Sequence, residues 1–188
     1  MKEIYNQIPE KLHHHIKAIS KSAAFENKEE AEERVAQAWL EKKAVFDDEL
    51  ETMGMAKINE LELSDDQGAL AITYSGSIVN IEPVLNGKRR VTYTSIGTRT
   101  DVPESNEEEN SVILENQISI DEPIYFTRGP VKNTSQILEI AVFDEDISPV
   151  VQTQRLDAAT KKLVEEFVEI NAEVEEDLKV DREPTLAP

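Results

Sequence analysis

Two arginines in this chain sit in similar settings, Gly97-Thr98-Arg99-Thr100 and Thr127-Arg128-Gly129-Pro130. Each is expected in a loop after a strand, with a threonine hydroxyl beside it. A guanidinium presents a planar fork of donors to carboxylate or phosphate oxygens. If Arg99 and Arg128 converge with Thr98 and Thr127, they suit a small anionic ligand, with Asp144 or Asp146 nearby. The competing reading makes them ordinary loop arginines paired with neighbours such as Asp101 and Glu104. The run Asp144-Glu145-Asp146 follows the most apolar stretch of the chain. Carboxylates two apart at a strand end can hold a hard cation through waters. No further ligand is identifiable, and a solvated turn accounts for them equally well. His13-His14-His15 is the one histidine cluster. Neighbours on a helix point about 100° apart, so three in a row do not converge on one metal.

Two other groups point to contact surfaces. From Pro83 to Thr100 the chain carries Lys88, Arg89, Arg90 and Arg99 and no acid, whereas residues 55–154 carry 7 basic and 17 acidic residues. Lys88-Arg89-Arg90, at a hairpin tip, is expected to face an acidic protein partner or a second copy of this chain, since complementary patches steer association. The plainer reading is a charged tip that protects a strand end. Leu163, Phe167, Ile170 and Val174 are spaced 4-3-4 along the last helix and form either a core-facing stripe or a dimer seam.

Familiar catalytic motifs are missing. The six glycines never approach G-x-G-x-x-G or a P-loop, and H-E-x-x-H and G-x-S-x-G do not occur. Without cysteine there is no thiolate or disulfide chemistry. The 188 residues carry a formal net charge of −19, which opposes nucleic acid and anionic membranes. No apolar run approaches the ~20 residues of a membrane span, and Met1-Lys2-Glu3-Ile4-Tyr5 lacks a signal-peptide core.

The elements that position these residues follow from periodicity. Ile8-Pro9 opens a first helix with the stripe Ile8, Leu12, Ile16, Ile19 and Ala23. Asn27, with Glu30 three residues on, caps a second helix from Lys28 to Met53, and Gly54 stops it. Within its apolar stripe, Lys42 is expected to lay its stem on apolar surface and reach water with its head. Residues 68–100 read as one long β-hairpin, the organising element of the chain. Leu70, Ile72 and Tyr74 share one face, and Val79 and Ile81 fall out of phase with them. A bulge or bend at Gly76 is expected to absorb the slip. A three-residue loop, Leu85-Asn86-Gly87, pairs Ile81 with Val91 and Val79 with Tyr93, keeping one face apolar. The run from Thr134 to Phe143 is apolar on both faces and reads as the central or doubly covered strand. A last helix runs from Leu156 to Leu178.

The pattern specifies an α+β fold: a mostly antiparallel five- or six-stranded sheet, an N-terminal helical hairpin and a long C-terminal helix. Residues 1–180 are expected to form one domain, with a helical hairpin over 4–54, a sheet over 55–150 and a helix over 153–179. A disordered tail is expected over 181–188. The leading functional expectation is a non-enzymatic, cytoplasmic interaction or regulatory protein that self-associates, with no cofactor, no metal, no nucleic acid and no membrane. The alternative is a domain or enzyme that binds a small anionic ligand through Arg99 and Arg128.

Overall fold

The computed structural model describes residues 2–22, 27–95, 106–108, 113, 117–127 and 132–180. The expected tail over 181–188 lies outside them. The chain starts with a short helix, α1 (Lys2–Tyr5), and with α2 (Glu10–Ser22), which follows Pro9. Asn27 is the N-cap of α3 (Lys28–Met53), its side-chain oxygen accepting from the backbone N–H groups of Glu29 and Glu30. Gly54 closes α3 in the left-handed conformation (φ 67°). A β region follows: β1 (Met55–Ile58), β2 (Glu60–Glu62), β3 (Ala69–Thr73), β4 (Ile78–Ile81), β5 (Val91–Ser95), β6 (Asn106–Glu108), β7 (Gln117–Ser119), β8 (Pro123–Tyr125) and β9 (Asn133–Phe143). The last helix, α4, spans Pro149–Val180.

The main sheet is antiparallel, in the order β1-β9-β3-β4-β5-β6, and β8 joins β9 alongside β1. β9 is not the middle strand but the second in the order; it is covered on both faces, Leu138 and Ala141 on the helical side and Ile137, Ile140 and Val142 on the other, as its doubly apolar sequence predicts. The fold is thus α+β, with an N-terminal helical pair and a long C-terminal helix. The stretch 68–100 differs from the expected single hairpin. The segment 74–77 reverses the chain, so β3 and β4 pair with each other and a meander β3-β4-β5 results. Gly76 has φ 80°, and Thr73 N–H donates to the Ser77 carbonyl while Gly76 N–H donates to the Thr73 carbonyl. That is a three-residue hairpin loop with glycine at its left-handed position, and the slip seen in the sequence is this turn.

At the other end the expected register holds: Ile81 pairs with Val91 and Val79 with Tyr93. The loop producing it is different. Leu85 pairs with Lys88 around a two-residue turn in which Asn86 and Gly87 both have positive φ (53° and 73°). Glu82 N–H then bonds to the Arg90 carbonyl, so Pro83 and Val84 together oppose Arg89. This bulge shifts the pairing by one residue; Pro83 has no N–H to give to the ladder.

Apolar residues lie on both faces of the sheet. On the helical side Leu70, Ile72 and Ile78 meet Trp39, Phe46, Leu50, Leu156, Leu163 and Phe167. On the other, Ala71, Val79, Ile81, Val91 and Ile140 are covered by β8 and by the two-stranded sheet β2-β7, through Leu61 and Ile118. α3 and α4 run antiparallel, as Lys162–Glu49 and Lys42–Phe167 contacts show. Among the described helices none is long and apolar enough to cross a membrane.

Lys42 departs from expectation. It is 1% exposed, and its ammonium sits 5.8 Å from the Phe167 ring centre with no hydrogen-bond partner among the described residues. Burial pulls its pKa down to about 7. Between that value and the ~10.4 of an unfolded lysine, the unfolded chain binds more protons, so this residue makes stability rise with pH from about 7 to about 10 and contributes no slope below 7. Lys42→Met should raise unfolding free energy at pH 7 by on the order of a few kcal/mol. The difference from wild type should shrink toward pH 10 when urea titrations are compared across pH.

Candidate functional site

The helical face of the sheet is not apolar throughout. Along β4 and β5 the positions facing α4 are Asn80, Thr92 and Thr94, all within 2% of full burial. Asn80 pairs with Thr92, and Thr94 lies opposite Ile78. Over them α4 presents Asp157, Thr160, Lys161, Val164 and Glu165. Sheet and helix enclose a cleft of about 350 Å³, with Arg90 in its wall.

The cleft depends on how α4 is held. Gln152, in the first turns of α4, accepts from Gly68 N–H (2.8 Å) and donates to the carbonyls of Asp66 (3.0 Å) and Ile147 (2.9 Å). One turn later Leu156 packs on Gly68. A Cβ on Gly68 would come within 2.7 Å of Leu156 Cδ1 and 3.0 Å of the Ile81 carbonyl oxygen, so the helix approaches a bare backbone. Asp157, the next residue, then faces β4 and β5. Its carboxylate joins Arg90, and Asn80 Nδ2 approaches the same oxygen at 3.5 Å. Arg90 Nε also donates to Glu82 Oε1 (2.5 Å). Glu82 is 5% exposed, and burial raises its pKa against the pull of Arg90, with Asp157 adding to the rise. The hydrogen bond to Glu82 chiefly holds Arg90 charged.

Two oxygens at the floor stand apart. Asn80 Oδ1 and Thr94 Oγ1 are buried without a hydrogen-bond partner among the described residues. The amide orientation has a physical reason: turned over, Oδ1 would face the Asp157 carboxylate. Thr160 by contrast donates its hydroxyl to the Leu156 carbonyl (2.8 Å).

Of the described residues singled out in the sequence, Arg90 lines the cleft and the others do not. Thr98, Arg99 and Arg128 lie outside the described residues, and Thr127 is exposed. Arg89 does not point to a partner. Its guanidinium donates to the carbonyls of Gln67 (3.1 Å), Glu82 (2.9 Å) and Ser64 (2.5 Å), fixing the turn that Gln152 also grips. Of the three tip cations only Lys88 is exposed. Leu163 and Phe167 are fully buried against α3 and form no surface seam, while Ile170 and Val174 are half-buried. His13 donates from Nε2 to the carbonyls of Tyr5 and Ile8, and His15 stacks edge-on to Tyr74. Asp144 and Asp146 are exposed, and among the described residues no three acidic or imidazole groups converge as metal ligands.

Sequence reading missed the cleft residues because alternation of polar and apolar positions is normal for a half-solvated strand. One signal was present: asparagine is depleted in strands, and Asn80 sits between Val79 and Ile81. No family model, no curated protein and no solved structure matches this chain.

The roles of the tip cations separate by mutation. Arg89→Ala should lower unfolding free energy by about 2–4 kcal/mol, because partly buried carbonyls lose charge-assisted bonds. Lys88→Ala should stay within about 0.5 kcal/mol. Denaturant midpoints of the two variants check the difference, and equal effects would remove the clamp.

Proposed function

We propose that this protein binds a small polar solute in the cleft between α4 and the β4-β5 hairpin. The observation that carries the reading is the pair of oxygens of Asn80 and Thr94, residues of the cleft lining, which are buried without a hydrogen-bond partner among the described residues. A buried polar group without a partner costs about 1–3 kcal/mol. Apolar side chains on the strand would avoid that cost, as Leu70 and Ile72 do on neighbouring β3. A ligand that hydrogen-bonds to these oxygens removes the penalty in the bound state, and the cleft volume suits a small molecule. The interaction role expected from the sequence has less to stand on, since Arg89, Leu163 and Phe167 are engaged inside the fold.

The reading is tested by thermal unfolding against a panel of neutral sugars, nucleosides, amino acids and amino sugars. A ligand at about 100 times its Kd should raise Tm by roughly 5–10 °C. Val164→Trp, which fills the cleft from α4, should abolish that rise while preserving cooperative unfolding. No shift from any class, or a shift that survives Val164→Trp, overturns the proposal.

A further inference from the structure

The charges around the cleft narrow the ligand class, an inference that rests on the reading above. Arg90, the one guanidinium in the lining, is already held by Glu82 and Asp157. It therefore has little to offer an incoming anion. Lys161 and Glu165 stand near each other on the exposed side of α4. The lining itself holds two cations, Arg90 and Lys161, and two carboxylates, Asp157 and Glu165; Glu82, behind Arg90 and paired with it, adds a third carboxylate. Desolvation between sheet and helix strengthens that imbalance, and the chain's net charge of −19 adds a long-range bias of the same sign.

Hydrogen-bonding capacity points the same way. Asn80 Oδ1 can only accept, and Asp157 and Glu165 are acceptors when ionised. Thr92 and Thr94 carry hydroxyls that match a ligand hydroxyl in either direction. We infer that the cleft selects a hydroxylated amine: an ammonium group directed to Asp157, Glu165 and the Asn80 oxygen, with hydroxyls on Thr92 and Thr94. An anionic ligand, the class anticipated from Arg99 and Arg128, would meet the carboxylates instead.

Three sugars that differ chiefly in charge make the test: glucosamine, glucose and glucuronate, titrated into the whole protein by calorimetry at low salt. Glucosamine should bind saturably at one site, at least about tenfold tighter than glucose, with glucuronate weakest. Glu165→Gln, on an exposed residue, should weaken glucosamine by several-fold, and Asn80→Leu should abolish the site. Circular dichroism confirms that both variants remain folded. If glucose or glucuronate binds as tightly as glucosamine, the charge preference is wrong while the polar-solute reading stands. If glucosamine binding survives Asn80→Leu, it reflects general attraction to an acidic surface, and the inference falls. It falls equally if glucosamine fails to bind at millimolar concentration.

Discussion

Gln152 fixes where the last helix meets the sheet. Its amide completes three hydrogen bonds with backbone groups of two different loops, and it is buried, so each bond is made in a low dielectric where leaving it unmade is costly. The contact sets both the height and the rotation of α4. One turn on, Leu156 drops onto Gly68, where any side chain would collide with a strand carbonyl. Gln152, Leu156, Ala159, Leu163 and Phe167 then follow one another along the buried stripe. The residues one step around the helix, Asp157, Lys161 and Glu165, are thereby placed over β4 and β5. The cleft is a consequence of this register.

The same turn is held from the sheet side by Arg89, which reaches the carbonyls of Ser64 and Gln67. A guanidinium from the loop before β5 and a helix-borne amide thus converge on residues 64–68. Around this joint the apolar layer under α3 and α4 is continuous from Trp39 to Leu70 and Ile72. It gives way to Asn80, Thr92 and Thr94 where α4 alone covers the sheet. Lys42, Asn80 and Thr94 are among the buried polar groups with an atom lacking a hydrogen-bond partner among the described residues. Lys42 is enclosed between α3 and α4, whereas Asn80 and Thr94 border open volume. The first lies inside the core; the other two belong to the residues that line the cleft.

Local signals in the sequence were read reliably. Asn27 and Gly54 cap α3 because their chemistry acts within one turn of the chain. The face shared by Leu70, Ile72 and Tyr74 and the register of Ile81 on Val91 follow from side-chain alternation. Features that depend on distant partners were not legible. Gly76 reads equally as a bulge or a turn until Ser77 is known to return to Thr73. α4 starts at Pro149, seven residues before Leu156; the pair Ser148-Pro149, with proline suited to the first helical position, was the available signal. Arg90 looked like a free charge because Asp157 lies far along the chain. Nothing local to Thr160 shows that α4 there faces a polar wall.

On the proposed reading, Asn80, Thr92 and Thr94 serve binding and not folding. The most direct measurement is the unfolding free energy, by urea denaturation, of the combined variant Asn80→Leu, Thr92→Val, Thr94→Val. This variant should be as stable as the wild type or more so, because the buried Asn80 and Thr94 oxygens, without a partner among the described residues, give way to apolar groups of similar shape. A loss of more than about 1 kcal/mol would show that these side chains hold the fold together, and would contradict it.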